Sequence, residues 1–220
     1  VANDIAVVAA DDDDVRVLTN DGSGQFFGGD ANYDVSKSPV DLITVDMDGD
    51  GRLDIVVVCA GADEIGVLSA NGQGGFDSMV AYPTGDGAPE GLDTADFDGD
   101  GWADIVVVSR AEAHVSVLLN DGAGGLESPT NFAVGIKPRG VAAADFDADG
   151  NPDVISADHD GGTVTLLLGG GSGGLEFAQT FAVGLNPRHV IAADLDGDLA
   201  MDFACALHLE QAIGIVLSNP

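Results

Sequence analysis

Short apolar runs alternate with acidic and glycine-rich breaks along the whole chain, and both the runs and the breaks recur. DIAVV at residues 4–8, DIVVV at 54–58 and again at 104–108, DVISA at 153–157 and DFACA at 202–206 are variants of one phrase. Each run is apolar on consecutive positions and most are β-branched, which predicts a strand covered on both faces. A second short strand follows, as at 15–19, and ends in a glycine-rich turn of the kind that joins antiparallel strands. That turn reads NDGSG at 20–24, ANGQGGF up to Phe76, NDGAGGL up to Leu126 and GGGSGGL up to Leu175.

A weaker extended segment comes next, at 130–134 and 180–183, and then a Gly-x-x-Pro connection at 135–138 and 184–187, with variants ending at Pro39 and Pro89. A small-residue strand, such as GVAAA at 140–144, leads into the next acidic loop. Each unit therefore reads as strand A, acidic loop, apolar strand B, strand C, glycine turn and strand D. No helical periodicity of useful length interrupts the pattern. Four-stranded antiparallel units of this size, with neighbours covering both faces and alanine-rich strands crowding an axis, predict an all-β β-propeller.

The acidic loops carry the candidate chemistry. DFDGDGWAD at 96–104 places Asp at positions 1, 3, 5 and 9 and glycine at position 6. Such a density of like charge calls for a hard cation, and calcium takes six to eight oxygen ligands of this kind. Position 7, here Trp102, would offer its backbone carbonyl. Relatives of the loop begin at Asp46 (DMDGDGRLD), Asp145 (DFDADGNPD) and Asp194 (DLDGDLAMD), so the starts are 50, 49 and 49 residues apart. Four copies at a near-constant period make a merely solvated polar turn a poor account. An EF-hand is excluded because position 12 is Val57, Val107, Ser156 or Cys205 where a bidentate Glu is needed. A nonapeptide β-helix is excluded by the period.

Composition adds bounds. The 220 residues are 45% hydrophobic, with 32 glycines against 8 prolines and a formal charge of −31 from 38 acids and only 7 Lys and Arg. That charge repels nucleic acid and anionic membranes, and no run approaches the length of a membrane helix. Cys59 and Cys205 fall in non-adjacent units and read as buried free thiols. Asp4 aligns with position 9 of a loop, so Val1 is expected to lie inside one. The four A, five B, five C and four D strands make about four and a half repeats. The expectation is a single propeller domain or segment over 1–220, with units at about 4–53, 54–103, 104–152 and 153–201 and a partial unit at 202–220. It would be part of a longer propeller, or completed by a strand-adding partner; a five-bladed ring with two three-stranded blades is the competing arrangement.

DFDGDGWADIVVV together with VSVLLNDGAGG closely resembles the FG-GAP/VCBS repeat of integrin α propellers and many secreted microbial proteins, and the resemblance spans essentially the whole chain. It implies calcium in the loop between strands A and B, up to four ions in all, with ligands approaching the opposite face. By that resemblance the first loop would use Asp46, Asp48, Asp50, Asp54 and the carbonyl of Arg52. The second would use Asp96, Asp98, Asp100, Asp104 and Trp102; the third Asp145, Asp147, Asp149, Asp153 and Asn151; the fourth Asp194, Asp196, Asp198, Asp202 and Ala200. Leu199 replaces the position-6 glycine of the fourth loop and puts its geometry in question. The resemblance also implies an extracellular, secreted or cell-surface location.

No catalytic constellation has convincing spacing. His114, His159 and His208 fall at or near the connections between strands B and C, in different units. Arg139, Arg188 and His189 fall where strand A begins, at the mouth opposite the metal loops, and are the best candidates for gripping an anionic or carbohydrate group. Ion pairing with the acidic surface is the plainer role for them. Two functions remain: a non-catalytic calcium-binding module for binding, adhesion or assembly, with an unidentified protein or carbohydrate ligand; or a lectin or the propeller of a polysaccharide lyase or hydrolase. Fold cannot choose between them.

Overall fold

The apolar run at 4–8 opens the first antiparallel sheet, and each later run becomes the second strand of its own sheet. The computed structural model describes residues 3–85 and 87–218, with the side chains of all of these except 28–30, and every regular element among them is a strand. Val1, expected inside a metal loop, lies outside the described residues.

The first sheet is β1 (Ile5–Ala9), β2 (Asp14–Asn20) and β3 (Phe26–Asp34). The second is β4 (Pro39–Val45), β5 (Asp54–Cys59), β6 (Glu64–Leu68) and β7 (Val80–Pro83). The third is β8 (Pro89–Ala95), β9 (Asp104–Ser109), β10 (His114–Leu118) and β11 (Thr130–Ala133). The fourth is β12 (Pro138–Ala144), β13 (Asp153–Asp158), β14 (Thr163–Gly169) and β15 (Leu175–Ala182). The last is β16 (Pro187–Ala193), β17 (Asp202–Leu207) and β18 (Ala212–Val216). Strands pair only with their chain neighbours, so each sheet is an up-and-down meander and the array is a β-propeller segment of blade-like sheets.

The core lies between sheets. Alternate residues of a strand point to opposite faces, and each sheet uses one face toward the sheet before it and the other toward the sheet after. Val56, Val58, Ile65 and Val67 pack against Leu92, Ile105, Val107 and Leu118, while Ile55, Val57, Cys59 and Leu68 of the same strands meet Val15 of the first sheet. Val106, Val108, Val115 and Val117 meet Val141, Val154 and Leu167, and Ile155, Ala157 and Val164 meet Val190, Phe203 and Cys205. This two-sided use is why β5, β9 and β13 are buried at every position. Each such aliphatic side chain contributes about 1.5–3 kcal/mol by leaving water.

The end sheets differ. Sheets pack in chain order, and among the described residues no close packing joins the first to the last, so the five-bladed closed ring is not formed. Ile213 is 70% exposed although its register equivalents Val15, Ile65, Val115 and Val164 are at 0%. Ile5 and Val7 of β1 are likewise exposed where Ile55 and Val57 are not.

Near the axis, backbones approach closely. A Cβ at Gly91 would sit 2.6 Å from the carbonyl oxygen of Arg139, and one at Gly140 2.5 Å from that of Arg188. The Asp41 carboxylate accepts from the Leu92 N–H at 3.3 Å, and that of Asp93 accepts from Ala143 N–H at 2.9 Å, which ties successive first strands together. β4, β8, β12 and β16 each have a register irregularity just after their proline, at 39–41, 89–92, 138–140 and 187–190. Such bulges re-aim side chains. Both cysteines are buried free thiols, with burial pushing Cys59 up to about 11.

Fully buried Asp158 at the end of β13 accepts hydroxyl hydrogen bonds from Ser156 (2.8 Å), Thr163 (3.0 Å) and Thr165 (2.6 Å). Burial raises its pKa above the ordinary carboxylate range despite these donors. A raised carboxyl stabilises the fold fully below its unfolded pKa and loses that contribution as pH rises through the folded one. The melting temperature of Asp158→Asn relative to the parent should therefore climb from pH 4 to pH 7; a difference that is flat or falls across this range would contradict the assignment.

Candidate metal centres and an axial cavity

The four acidic loops fold alike because their carboxylates accept from their own backbone. In the second loop, Asp96 Oδ1 accepts from Gly99 N–H (2.8 Å) and Oδ2 from Gly101 N–H (2.9 Å). Asp98 accepts from Asp100 N–H (3.1 Å), and Asp100 from Trp102 N–H (2.8 Å). Position-6 glycines adopt the left-handed region, as with Gly101 at φ 91°, where a side chain is disfavoured.

Position 9 has a separate task. Asp104 is fully buried; its Oδ2 accepts from Phe97 N–H (2.8 Å) at the head of the loop and its Oδ1 from Asn120 N–H (2.7 Å) at the glycine turn after β10. Asp54 does the same for Met47 and Ala70, Asp153 for Phe146 and Gly169, and Asp202 for Leu195 and Ser218. Asp4 accepts from Asn20 N–H at 2.8 Å, the same sixteen-residue reach, as the alignment of Asp4 with position 9 anticipated.

Carboxylate oxygens of Asp96, Asp98 and Asp104 lie within 4.8 Å of one another, as do those of Asp145, Asp147 and Asp153, those of Asp194, Asp196 and Asp202, and those of Asp46, Asp48 and Asp50. Two oxygens on one calcium ion at about 2.4 Å can be no more than about 4.8 Å apart, so each group fits a hard cation. Position 5 joins the group only in the first loop, where Arg52 also pairs with Asp50 at 2.5 Å. Asp100, Asp149 and Asp198 stay outside the groups, as does Asp54 in the first loop. The position-7 residues Arg52, Trp102, Asn151 and Ala200 each donate their N–H to the position-5 carboxylate.

Electrostatics matches this arrangement. Burial, with Asp98 and Asp100 close by, pushes the Asp104 carboxyl up to about 6 against the pull of its two backbone donors. Asp54 and Asp153 are raised for the same reason. A divalent cation at the same point reverses the effect by favouring the ionised form. Asp202 goes the other way: hydrogen bonds from Ser218 and Leu195 hold it below the ordinary range.

The fourth loop keeps the shared fold in spite of Leu199. Leu199 takes φ 73°, its N–H still reaches Asp194 Oδ2 at 3.1 Å, and its side chain is 91% exposed. The substitution therefore costs backbone strain and leaves the loop path unchanged. Trp102 packs across to the first loop, where a Cβ on Gly49 would meet its ring at 2.6 Å. Asn120 reaches the same loop, donating to the Met47 carbonyl at 2.9 Å.

At the opposite end, the bulged first strands open a cavity of about 380 Å³ lined by Arg110, Arg139, Arg188, Glu90, Asp41 and His189, with Val40, Ala60 and Ala88 as apolar wall. Arg139, Arg188 and His189 are thus brought together, joined by Arg110, Glu90 and Asp41, which sequence reading missed because nothing in the sequence marks the bulge. Glu90 bridges Arg139 (3.0 Å) and Arg110 (3.2 Å). The other histidines do not line this cavity. His114 is buried at the start of β10, and His159 pairs with Asp160 at 2.7 Å.

The sequence model of the FG-GAP-like repeat matches residues 2–57, 46–107, 96–156 and 145–205, four overlapping matches that each begin in or near an acidic loop. No curated protein matches the chain significantly. Among solved structures, a functionally unknown protein from Desulfotomaculum acetoxidans is similar with TM-score 0.66 at 16% identity over 97% of this chain and 65% of that one. An Agrocybe aegerita lectin, described for specific recognition of non-reducing terminal N-acetylglucosamine, is similar with TM-score 0.59 at 21% identity over 94% of this chain and 58% of the lectin. A putative 6-phosphogluconolactonase from Bacteroides uniformis gives 0.66 at 10% identity over 98% of this chain and 67% of that one. The chain thus spans less than two thirds of the first two, and the likeness to all three is one of fold.

Two substitutions separate the roles of the loop carboxylates. Asp104→Ala strands two backbone donors and should cost about 2–4 kcal/mol in chelator as well as in calcium. Asp98→Ala, at the loop surface, should leave the chelator melting curve nearly unchanged and reduce only the shift that calcium produces. Leu199→Gly should relieve strain and raise stability by up to about 1 kcal/mol, read as a higher denaturant midpoint.

Proposed function

The chain belongs to the FG-GAP-like repeat family, and from that premise we propose that it is a calcium-stabilised, non-catalytic propeller module that displays variable loops for binding or adhesion outside the cell. The observation that carries this reading is the contrast between the two ends of the sheets. At one end four loops each gather three carboxylates, two of them always from positions 1 and 3, and repeat the same hydrogen bond from the position-6 N–H to position 1. At the other, the connections after β1, β5, β9, β13 and β17 differ in every copy, reading DDDD, GADE, RAEAH, DHDGG and HLEQ. A constant end is what a scaffold needs, and loops set on a rigid scaffold are the usual seat of recognition.

Calcium is favoured over magnesium because each loop gathers several carboxylates on an irregular turn, whereas magnesium demands near-ideal octahedral geometry and keeps much of its water. Extracellular modules hold calcium with Kd of about 10⁻⁴–10⁻³ M, which suits a medium rich in the ion. The strongly acidic chain also gains from neutralisation at four points, since self-repulsion opposes compactness.

The reading is tested by melting the protein in chelator, in 10 mM calcium and in 10 mM magnesium. A site of about 0.1 mM affinity would add about 2.7 kcal/mol at 10 mM calcium, so the transition should move up by several degrees with calcium and much less with magnesium. Calorimetric titration should count up to four ions. Coincident curves in chelator and calcium would overturn the reading.

A further inference from the structure

We propose that the axial cavity at the start of the first strands is a binding site for a uronic acid, a sugar ring carrying one carboxylate. The proposal deepens the binding-module reading and rests on it. It starts from an asymmetry in the charges. Of the seven basic residues, Arg16, Lys37, Arg52, Arg110, Lys137, Arg139 and Arg188, three line this one cavity. Arg16, Arg52, Arg110, Lys137 and Arg139 each have a carboxylate partner. Arg188 has no ion pair among the described residues, and its Nε is buried without an acceptor, as is that of Arg139. In a chain of charge −31, a guanidinium left unpaired inside a cavity presents a vacant carboxylate-binding fork.

The bulges explain how the fork is aimed. Position 2 of β4, β8, β12 and β16 is Val40, Glu90, Arg139 and Arg188 respectively, and all four fall at the register irregularity and line the cavity. A regular strand would direct this position to one face of its own sheet. The tight approach at Gly91 and Gly140 holds the neighbouring strands close enough for these side chains to share one space.

The rest of the lining selects among anions. Glu90 is held by Arg110 and Arg139, and the Asp41 carboxylate accepts from Leu42 and Leu92. Each carboxylate oxygen has a second lone pair beyond these contacts, so the two groups can accept from hydroxyl donors and repel a second negative charge. A dianionic phosphate or sulfate is therefore disfavoured, while a monocarboxylate bearing hydroxyls satisfies both signs. Val40, Ala60 and Ala88 supply apolar wall for a ring face. At about 380 Å³ the cavity sits at the small end of the ~300–1,000 Å³ range of ligand sites, suited to one or two sugar rings.

The test uses the whole chain in calcium, with binding followed by titration calorimetry or ligand-observed NMR. The probes are D-galacturonate, its trimer, D-galactose and inorganic phosphate. Galacturonate should bind at least about tenfold more tightly than galactose, the discrimination expected of one charge-assisted hydrogen-bonded pair. A preference for the trimer would identify a chain end as the natural source, and equal affinity a free sugar acid. Arg188→Gln should abolish the preference over galactose, while Arg16→Gln, on the outside of the second strand, should keep it. Val40→Trp, which fills the cavity without removing a charge, should block binding and guards against a folding defect in the arginine variant. Galacturonate no tighter than galactose, phosphate tighter than galacturonate, or an Arg188→Gln protein that keeps its preference would each overturn the proposal. Melting the same samples with and without calcium keeps the two readings apart: a calcium shift without uronate binding refutes the cavity alone, and uronate binding without a calcium shift refutes the calcium reading alone.

Discussion

A buried carboxylate that accepts two backbone N–H groups from distant parts of one sheet is the interaction on which the rest depends. Asp54, Asp104, Asp153 and Asp202 each stand at the first residue of an apolar strand and bind the head of the acidic loop on one oxygen and the backbone sixteen residues later on the other, which in the first three is the start of the glycine turn and in the last is Ser218. Burying a charge is costly unless it is hydrogen-bonded or neutralised. Here the two donors supply part of the compensation, and the loop's other carboxylates prepare a place for a cation that would supply the remainder. In the last three loops one carboxylate therefore serves two ends: what holds the turn in place also belongs to the group that could hold a cation.

From this anchor the sheet-to-sheet packing follows. With both ends of the second and third strands fixed, their alternate side chains form two apolar faces, each filled by the neighbouring sheet. Turns and loops then reach across the seam, as Trp102 covers Gly49 and Asn120 donates to Met47. Stability in such arrays is shared between units and their interfaces. The exposed Ile191, Ile213 and Ile215 on the last sheet mark where that sharing stops within the described chain.

The two ends of the sheets divide the labour. At the loop end the backbone is repeated and the carboxylates point inward to their own turn. At the other end strand irregularities turn side chains toward the axis, and unequal residues from four sheets meet: a valine, a glutamate and two arginines at one level, an aspartate and a histidine at the next. Repetition thus builds the frame, and departure from repetition builds the cavity.

By itself the sequence determined the strand order, the all-β class, the four-and-a-half repeats and the loops as candidate cation sites, because each rests on local signals: period-49 recurrence, β-branched runs, and Asp and Gly at fixed offsets. Buried free Cys59 and Cys205 were legible for the same reason. Sequence placed all position-9 aspartates with the ligands but could not show that each also staples a turn sixteen residues away, since a hydrogen bond across a hairpin leaves no mark in spacing. It read Leu199 as a break in the pattern, whereas the surrounding hydrogen bonds hold even leucine in the left-handed conformation. Only the tertiary structure decided which loop carboxylates converge, which faces remain uncovered, and that Asp41, Glu90 and Arg110 join Arg139, Arg188 and His189. Those outcomes depend on the angle and approach of separate sheets, set by glycines against backbone and by bulges after prolines, and such geometry belongs to the contact between repeats and not to any one of them.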